Sequence, residues 1–192
     1  MKIEINPPNF QQVEFTVTGL TPLIQNKMKE STMKLMEDVR TGKKSSQKSR
    51  KAIDPKKSML EASYLQDDGS FGFPASAFKQ CAVRAGKGLG IAMTDTRTLF
   101  FVIPTAPDGE CVIIKSNKPV LRKDPVNVKT GKDLRFRPEF RNWKAKLLIR
   151  YDADRVTATQ VANLLNYGGQ TVGVGEWRPE KNGTFGMFQV GE

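Results

Sequence analysis

Between residues 135 and 143 the chain runs Arg135, Phe136, Arg137, Pro138, Glu139, Phe140, Arg141, Asn142, Trp143. Guanidinium groups interleaved with aromatic rings suit a single-stranded nucleic acid, the cations meeting phosphates and the rings stacking on bases. Arg122 and Lys123 precede this run, and the whole stretch from Lys115 to Arg150 sets twelve basic residues against Asp124, Asp133 and Glu139, a balance of +9. A second basic stretch, Arg40 to Lys57, sets eight basic residues, among them Lys43, Lys44, Lys48, Arg50 and Lys51, against Asp54 alone, a balance of +7. The two together exceed the whole-chain charge of +11, so the rest of the chain is net acidic and the basicity is localised. Localised positive charge points to a polyanionic partner, nucleic acid before an anionic membrane surface.

A third feature is the glycine cluster Gly168, Gly169, Gly173 and Gly175, followed by Trp177 and Arg178. It lacks the Gly-Lys-Ser/Thr ending of a P-loop, and it follows a helix where a dinucleotide fingerprint must precede one. Gly168 and Gly169 read as a helix stop. Gly173 and Gly175 read as a place where a nucleic-acid backbone comes close, with Trp177 and Arg178 beside it.

Catalytic chemistry is narrowed by what is missing. The 192 residues contain no histidine, which removes the usual neutral-pH general base and any Ser-His-Asp or Cys-His nucleophile pair. The two cysteines, Cys81 and Cys111, have no metal-ligand spacing and read as small core residues of a reducing compartment. Asp54 and Asp124 are the carboxylates that could orient a metal ion within a basic stretch; ion pairing with the neighbouring cations is the plainer reading. No cofactor, metal site or catalytic residue is assigned. The N-terminus lacks the apolar segment of a secretory signal, and no stretch approaches the roughly 18 apolar residues of a membrane span, so a cytoplasmic protein is expected.

These residues must be held by regular elements. Val13, Phe15 and Val17 alternate with Glu14, Thr16 and Thr18 as in a half-buried strand. Met33, Met36 and Val39 have helical spacing, with Leu35 widening a stripe that reads as packing. Phe73-Pro74 opens a helix with Phe78, Ala82 and Ala85 on one face and Lys79 and Arg84 on others. Leu99 to Ile103 and Cys111 to Ile114, separated by Pro107-Asp108-Gly109, read as a hairpin. Ala145 to Tyr151 alternates as a strand. Thr157 and Gln160 form a capping box for a helix burying Val161, Leu164 and Leu165 and stopping at Gly168. Phe185 to Val190 reads as a last strand, with Phe185 and Phe188 in the core. This order predicts an α+β single domain over 1–192, a ferredoxin-like split βαβ plan of the kind on which the RNA-recognition motif is built. Two large basic insertions interrupt it: a flexible one at 40–57 and an aromatic loop at 115–144.

Three blocks in this order resemble the RAMP superfamily, and specifically the backbone subunits that coat guide RNA in CRISPR effector complexes. They are Val13 to Asn26 with Thr18-Gly-Leu-Thr-Pro-Leu-Ile24, Phe73-Pro-Ala-Ser-Ala-Phe-Lys-Gln-Cys-Ala-Val-Arg84, and Gly168 through Phe188. The resemblance implies non-catalytic binding of single-stranded nucleic acid, RNA first and DNA second. It also implies subunits that assemble along the strand as a homo-oligomer, with CRISPR effector subunits among the partners. A protein-interaction module, carried by a phage or mobile element and mimicking a backbone subunit to block a host effector complex, is the alternative. Metal-dependent RNA cleavage through Asp54 or Asp124 is third.

Overall fold

The computed structural model describes residues 7–43, 52–128 and 131–191. In chain order the elements are β1 (Phe10–Gly19), β2 (Leu23–Ile24), α1 (Glu30–Arg40), α2 (Pro55–Glu61), β3 (Phe71–Pro74), α3 (Ala75–Gly88), α4 (Met93–Leu99), β4 (Phe100–Ile103), β5 (Cys111–Lys115), β6 (Val120–Val128), β7 (Gly131–Phe140), β8 (Lys144–Asp152), α5 (Ala158–Thr171) and β9 (Phe188–Gly191).

The main sheet has the order β3-β5-β8-β1-β9, with β4 also on β8. Reduced to β9, β1, β8 and the β4/β5 edge, with antiparallel neighbours and α3 and α5 packed together, this is the split βαβ arrangement that the element order predicts. Each alternating strand puts its apolar set on the helix side: Val17 from β1 and Ala145, Leu147, Ile149 and Tyr151 from β8 are buried against Phe78, Ala82, Val161 and Leu165. Trp143, Phe78 and Phe188 meet at the centre with ring centroids 5.6 to 6.3 Å apart. Large side chains buried this completely each stabilise by roughly 1.5–3 kcal/mol. The capping box at Thr157 and Gln160 forms as read. Cys81 and Cys111 are free and buried, and burial pushes both thiols up to about 12, which makes them inert packing groups.

Six expectations change. The last strand is β9, Phe188–Gly191, so Phe185 precedes it and is half-buried, outside the core. Leu99 belongs to α4, and β4 and β5 are not a hairpin: β4 pairs with Leu148–Tyr151 and β5 with Lys144 and Ala145, so both lie along one edge of β8. The connection instead closes as an arch, with Thr105 and Ala106 amides on the Cys111 carbonyl and the Asp108 carboxylate accepting from the Glu110 and Cys111 amides. α5 continues past Gly168 to Thr171, because Gly168 and Gly169 let the helix approach the Cys81 and Phe188 backbones. Residues 115–144 are no loop but mostly the hairpin β6–β7, joined by β2 into a second, three-stranded sheet. The other insertion begins within α1 and ends in α2, which starts at Pro55 with Asp54 as its cap. The Met33, Met36 and Val39 stripe does not pack within the described chain: α1 buries no residue. Among the described residues no helix is long and apolar enough to cross a membrane.

Candidate nucleic-acid interface

β3 delivers the chain directly into α3. The N-cap is Pro74, which offers no side-chain acceptor, and the Ala75 amide is taken by the Glu110 carbonyl. The remaining first-turn amides are left for another partner. A cavity of about 290 Å³ runs along α3 from this first turn and is lined by Ser76, Ala77, Gln80, Arg84 and the loop from Gly173 to Arg178. Arg178 donates through Nη1 to the Gly175 carbonyl at 2.9 Å and through Nη2 to Glu180 at 2.8 Å, and Arg84 also contacts Glu180. Arg84 and Arg178 share the Glu180 carboxylate, while Glu176, which also lines the cavity, faces the buried Arg137; the start of α3 adds about half a positive charge. A phosphate-sized anion is the chemistry this arrangement accommodates.

Arg84, Gly173, Gly175 and Arg178 are thus brought together, but the two glycines have a different task from the one read in the sequence. Both have positive φ, +69° and +79°. A Cβ on Gly173 would lie 2.8 Å from Pro179, and one on Gly175 2.5 Å from the Ile24 carbonyl. The close approach they permit is to the protein's own chain. Trp177 is beside them, 41% exposed, and Lys79 lies further along α3 with its Nζ 3.8 Å from the centroid of the Phe101 ring.

The aromatic-arginine run is corrected more deeply. Trp143 is fully buried and donates Nε1 to the Thr21 carbonyl at 2.9 Å, so it cannot stack on a base. Arg137 is 3% exposed and is held by Asp124 at 3.2 Å and Glu176 at 3.7 Å; it cannot reach a phosphate. Arg122 donates to Asp124 and Glu139 and lies over the Phe185 ring, 4.6 Å from its centroid. Arg141 pairs with Glu139 at 2.7 Å and Arg135 with Asp133 at 3.9 Å. The window balance already counts Asp124, Asp133 and Glu139, but it misses Glu176, which arrives from the loop after α5, and it does not show that Arg137 is buried. Phe136 is half-buried, and Lys123 is exposed, as is Lys43 beyond the end of α1. Lys44, Lys48, Arg50 and Lys51 lie outside the described residues.

The two carboxylates considered for cleavage have structural partners. Asp54 accepts from the Lys56 and Lys57 amides at the start of α2, and Asp124 is the buried counter-ion of Arg122 and Arg137. Among the described residues no group of three or more Cys, Asp or Glu side chains is placed to hold a metal ion. The first turn of α3 is a candidate feature with no mark in the sequence; Phe73-Pro74 indicates the helix start, but not the cavity beside it.

The ion pairs carry a pH dependence. Burial would raise the carboxyls of Glu139 and Glu180, but Arg141 and Arg122 around the first, and Arg178 and Arg84 around the second, outweigh it and hold both below the ordinary value. A depressed folded-state pKa contributes stability present above the unfolded value of 4.5 and lost as pH falls through the folded one. The melting temperature should therefore be flat from pH 7 to 5 and fall between pH 4.5 and 3; Glu139→Gln should flatten that acid limb.

No protein-family model matches this sequence, and no curated protein matches it. Among solved structures, a chain of the cryo-EM structure of the Type III-B Cmr-beta bound to cognate target RNA matches with a TM-score of 0.52 at 13% identity, over 95% of this chain and 59% of that one. The crystal structure of Cmr6 from Pyrococcus furiosus matches with a TM-score of 0.46 at 11% identity, over 95% of this chain and 99% of that one. This chain thus spans about three-fifths of the first of these. The first likeness is one of fold alone, and the α+β, split βαβ plan expected from the sequence is the plan of this structure.

Proposed function

We propose that the protein binds single-stranded RNA without cutting it, as one subunit of a CRISPR-type ribonucleoprotein. The observation that carries this reading is the cavity along α3, lined at one end by a first turn without a side-chain cap and elsewhere by Arg84 and Arg178. Backbone amides and guanidiniums recognise phosphate without regard to sequence, which suits coating of a strand. The shared fold with a complex bound to cognate target RNA supports the choice of RNA over DNA, and the structural employment of Asp54 and Asp124 supports a role without cleavage. Exposure of Met33 and Met36 on α1 favours a protein neighbour as well, either another subunit on the strand or the effector complex that a mimic would enter.

Fluorescence anisotropy with a labelled oligouridylate tests the reading. Affinity should fall by about tenfold or more between 50 and 200 mM salt, and Arg84→Ala with Arg178→Ala should lose about another tenfold. Binding indifferent to salt would overturn it. So would cleavage of the RNA in magnesium or manganese.

A further inference from the structure

The main sheet has two faces, and only one is covered by α3 and α5. On the other, the register places Gln12, Arg150 and Phe101 side by side across β1, β8 and β4, with Phe10 one pleat further along β1. Phe10 is 42% and Phe101 44% exposed, while Phe100, the neighbour of Phe101 on the opposite face, is fully buried. Core packing therefore does not account for these two rings. Each carries a cation: the Arg150 guanidinium lies 4.4 Å from the Phe10 centroid and Lys79 Nζ 3.8 Å from that of Phe101. A cation occupies one π face and leaves the other for a flat partner. Lys115, Lys144 and Lys146 share this side of the sheet, against Glu14, which pairs with Lys146, and Asp152. The face is net positive with two half-exposed rings.

A second cavity, about 350 Å³, sits at the β4 edge and is lined by Pro74, Ser76, Lys79, Phe101, Pro104 and Glu110 among others. Pro74 and Ser76 also line the cavity at the start of α3. The two cavities thus adjoin at Pro74 and Ser76, and a strand held beside α3 would cross the sheet edge there to reach Phe101.

We propose that this open face is a second contact for the bound strand, on which Phe101 and Phe10 each stack a base while Arg150, between them in the register, meets a phosphate and the lysines further along β8 and β5 add positive charge. The proposal rests on the RNA-binding reading and extends it from the α3 cavity to the sheet surface. Two inter-strand spacings and one pleat separate the rings by about 12 Å, so each takes its own base. Recognition would be indifferent to sequence, because every base offers a π face.

The test compares Phe10→Ala/Phe101→Ala and Phe10→Leu/Phe101→Leu with wild type, using a labelled 12-mer oligouridylate and a 12-mer of the same backbone with abasic positions. Both rings are half-exposed, so the melting temperature should hold. The Ala pair should bind the oligouridylate at least tenfold more weakly, with an unchanged salt slope because no phosphate contact is removed. The Leu pair should lose nearly as much, having area but no π face. Wild type and both variants should bind the abasic strand alike. Wild type binding the oligouridylate with both pairs within twofold of it would overturn this inference alone and leave the face to a protein partner. Full affinity of the Leu pair, or equal losses on the abasic strand, would overturn stacking. Failure of wild type to bind either strand would overturn the RNA reading, and this inference with it.

Discussion

Asp124→Ala is expected to destabilise the protein by about 3–5 kcal/mol, the range for removing one partner of a buried ion pair. Asp124 is 3% exposed and accepts from Arg122 at 2.6 Å and Arg137 at 3.2 Å. Arg137 is itself 3% exposed, and its Nε has no hydrogen-bond partner among the described residues. Without Asp124 its guanidinium keeps, among the described residues, only Glu176 at 3.7 Å, and it stays almost wholly buried. The loss is a large share of the 5–15 kcal/mol that typically separates folded from unfolded domains. Chemical denaturation should show a lower midpoint with an unchanged slope. Replacing Asp124 by Leu together with Arg137→Met should recover much of the loss, because an apolar set of similar volume leaves no buried charge. A fully stable Asp124→Ala would instead mean that the hairpin opens and that both guanidiniums reach solvent. The result bears on catalysis too: loss of any RNA-directed property in Asp124→Ala reports on folding unless stability is measured alongside it.

The sequence signals that worked were local. Alternation in β1 and β8, the capping box of α5, and the proline before α3 each depend on residues within a few positions of one another, and together they set the ferredoxin-like order. The failures were long-range. Arg137 looks like a free cation in the window from Lys115 to Arg150, because one of its counter-ions, Glu176, stands in the loop after α5. Trp143 looks like a stacking ring because it follows Arg141, yet it is the first inward residue at the start of β8, where Gly19 makes room for its indole. Phe101 lies in the apolar run Leu99 to Ile103, and only pairing with Arg150 places it on the open side of the sheet. The α1 pattern identified a helix correctly, but periodicity says which face is apolar and not what covers it. The start of α3 was legible as an element and illegible as a site, since the amides that matter are backbone and carry no sequence mark.

Gly175→Val should cost about 2–6 kcal/mol and lower the denaturation midpoint accordingly, and the reason is separable into two parts. Gly175 sits at φ +79°, a conformation that costs a non-glycine residue about 1–3 kcal/mol and a β-branched one the most. A Cβ there would also lie 2.5 Å from the Ile24 carbonyl and 2.8 Å from Leu23, and that carbonyl already accepts the Glu176 amide, so the backbone is pinned on both sides. Overpacking of this kind costs about 1–3 kcal/mol more. Gly42 separates the two: its φ is +72°, but among the described residues nothing lies within 4 Å of its Cβ position. Gly42→Ala therefore carries the conformational cost alone, and Gly175→Ala carries both, so the difference between their denaturation midpoints measures the approach of the glycine-rich loop to β2. Because β2 joins the second sheet to this loop, Gly175→Val should loosen the α3 cavity before it changes any contact with RNA. If Gly175→Val instead melted with wild type and lost only RNA binding, the loop would have to be free to move from Ile24, and its path would be set by the bound strand.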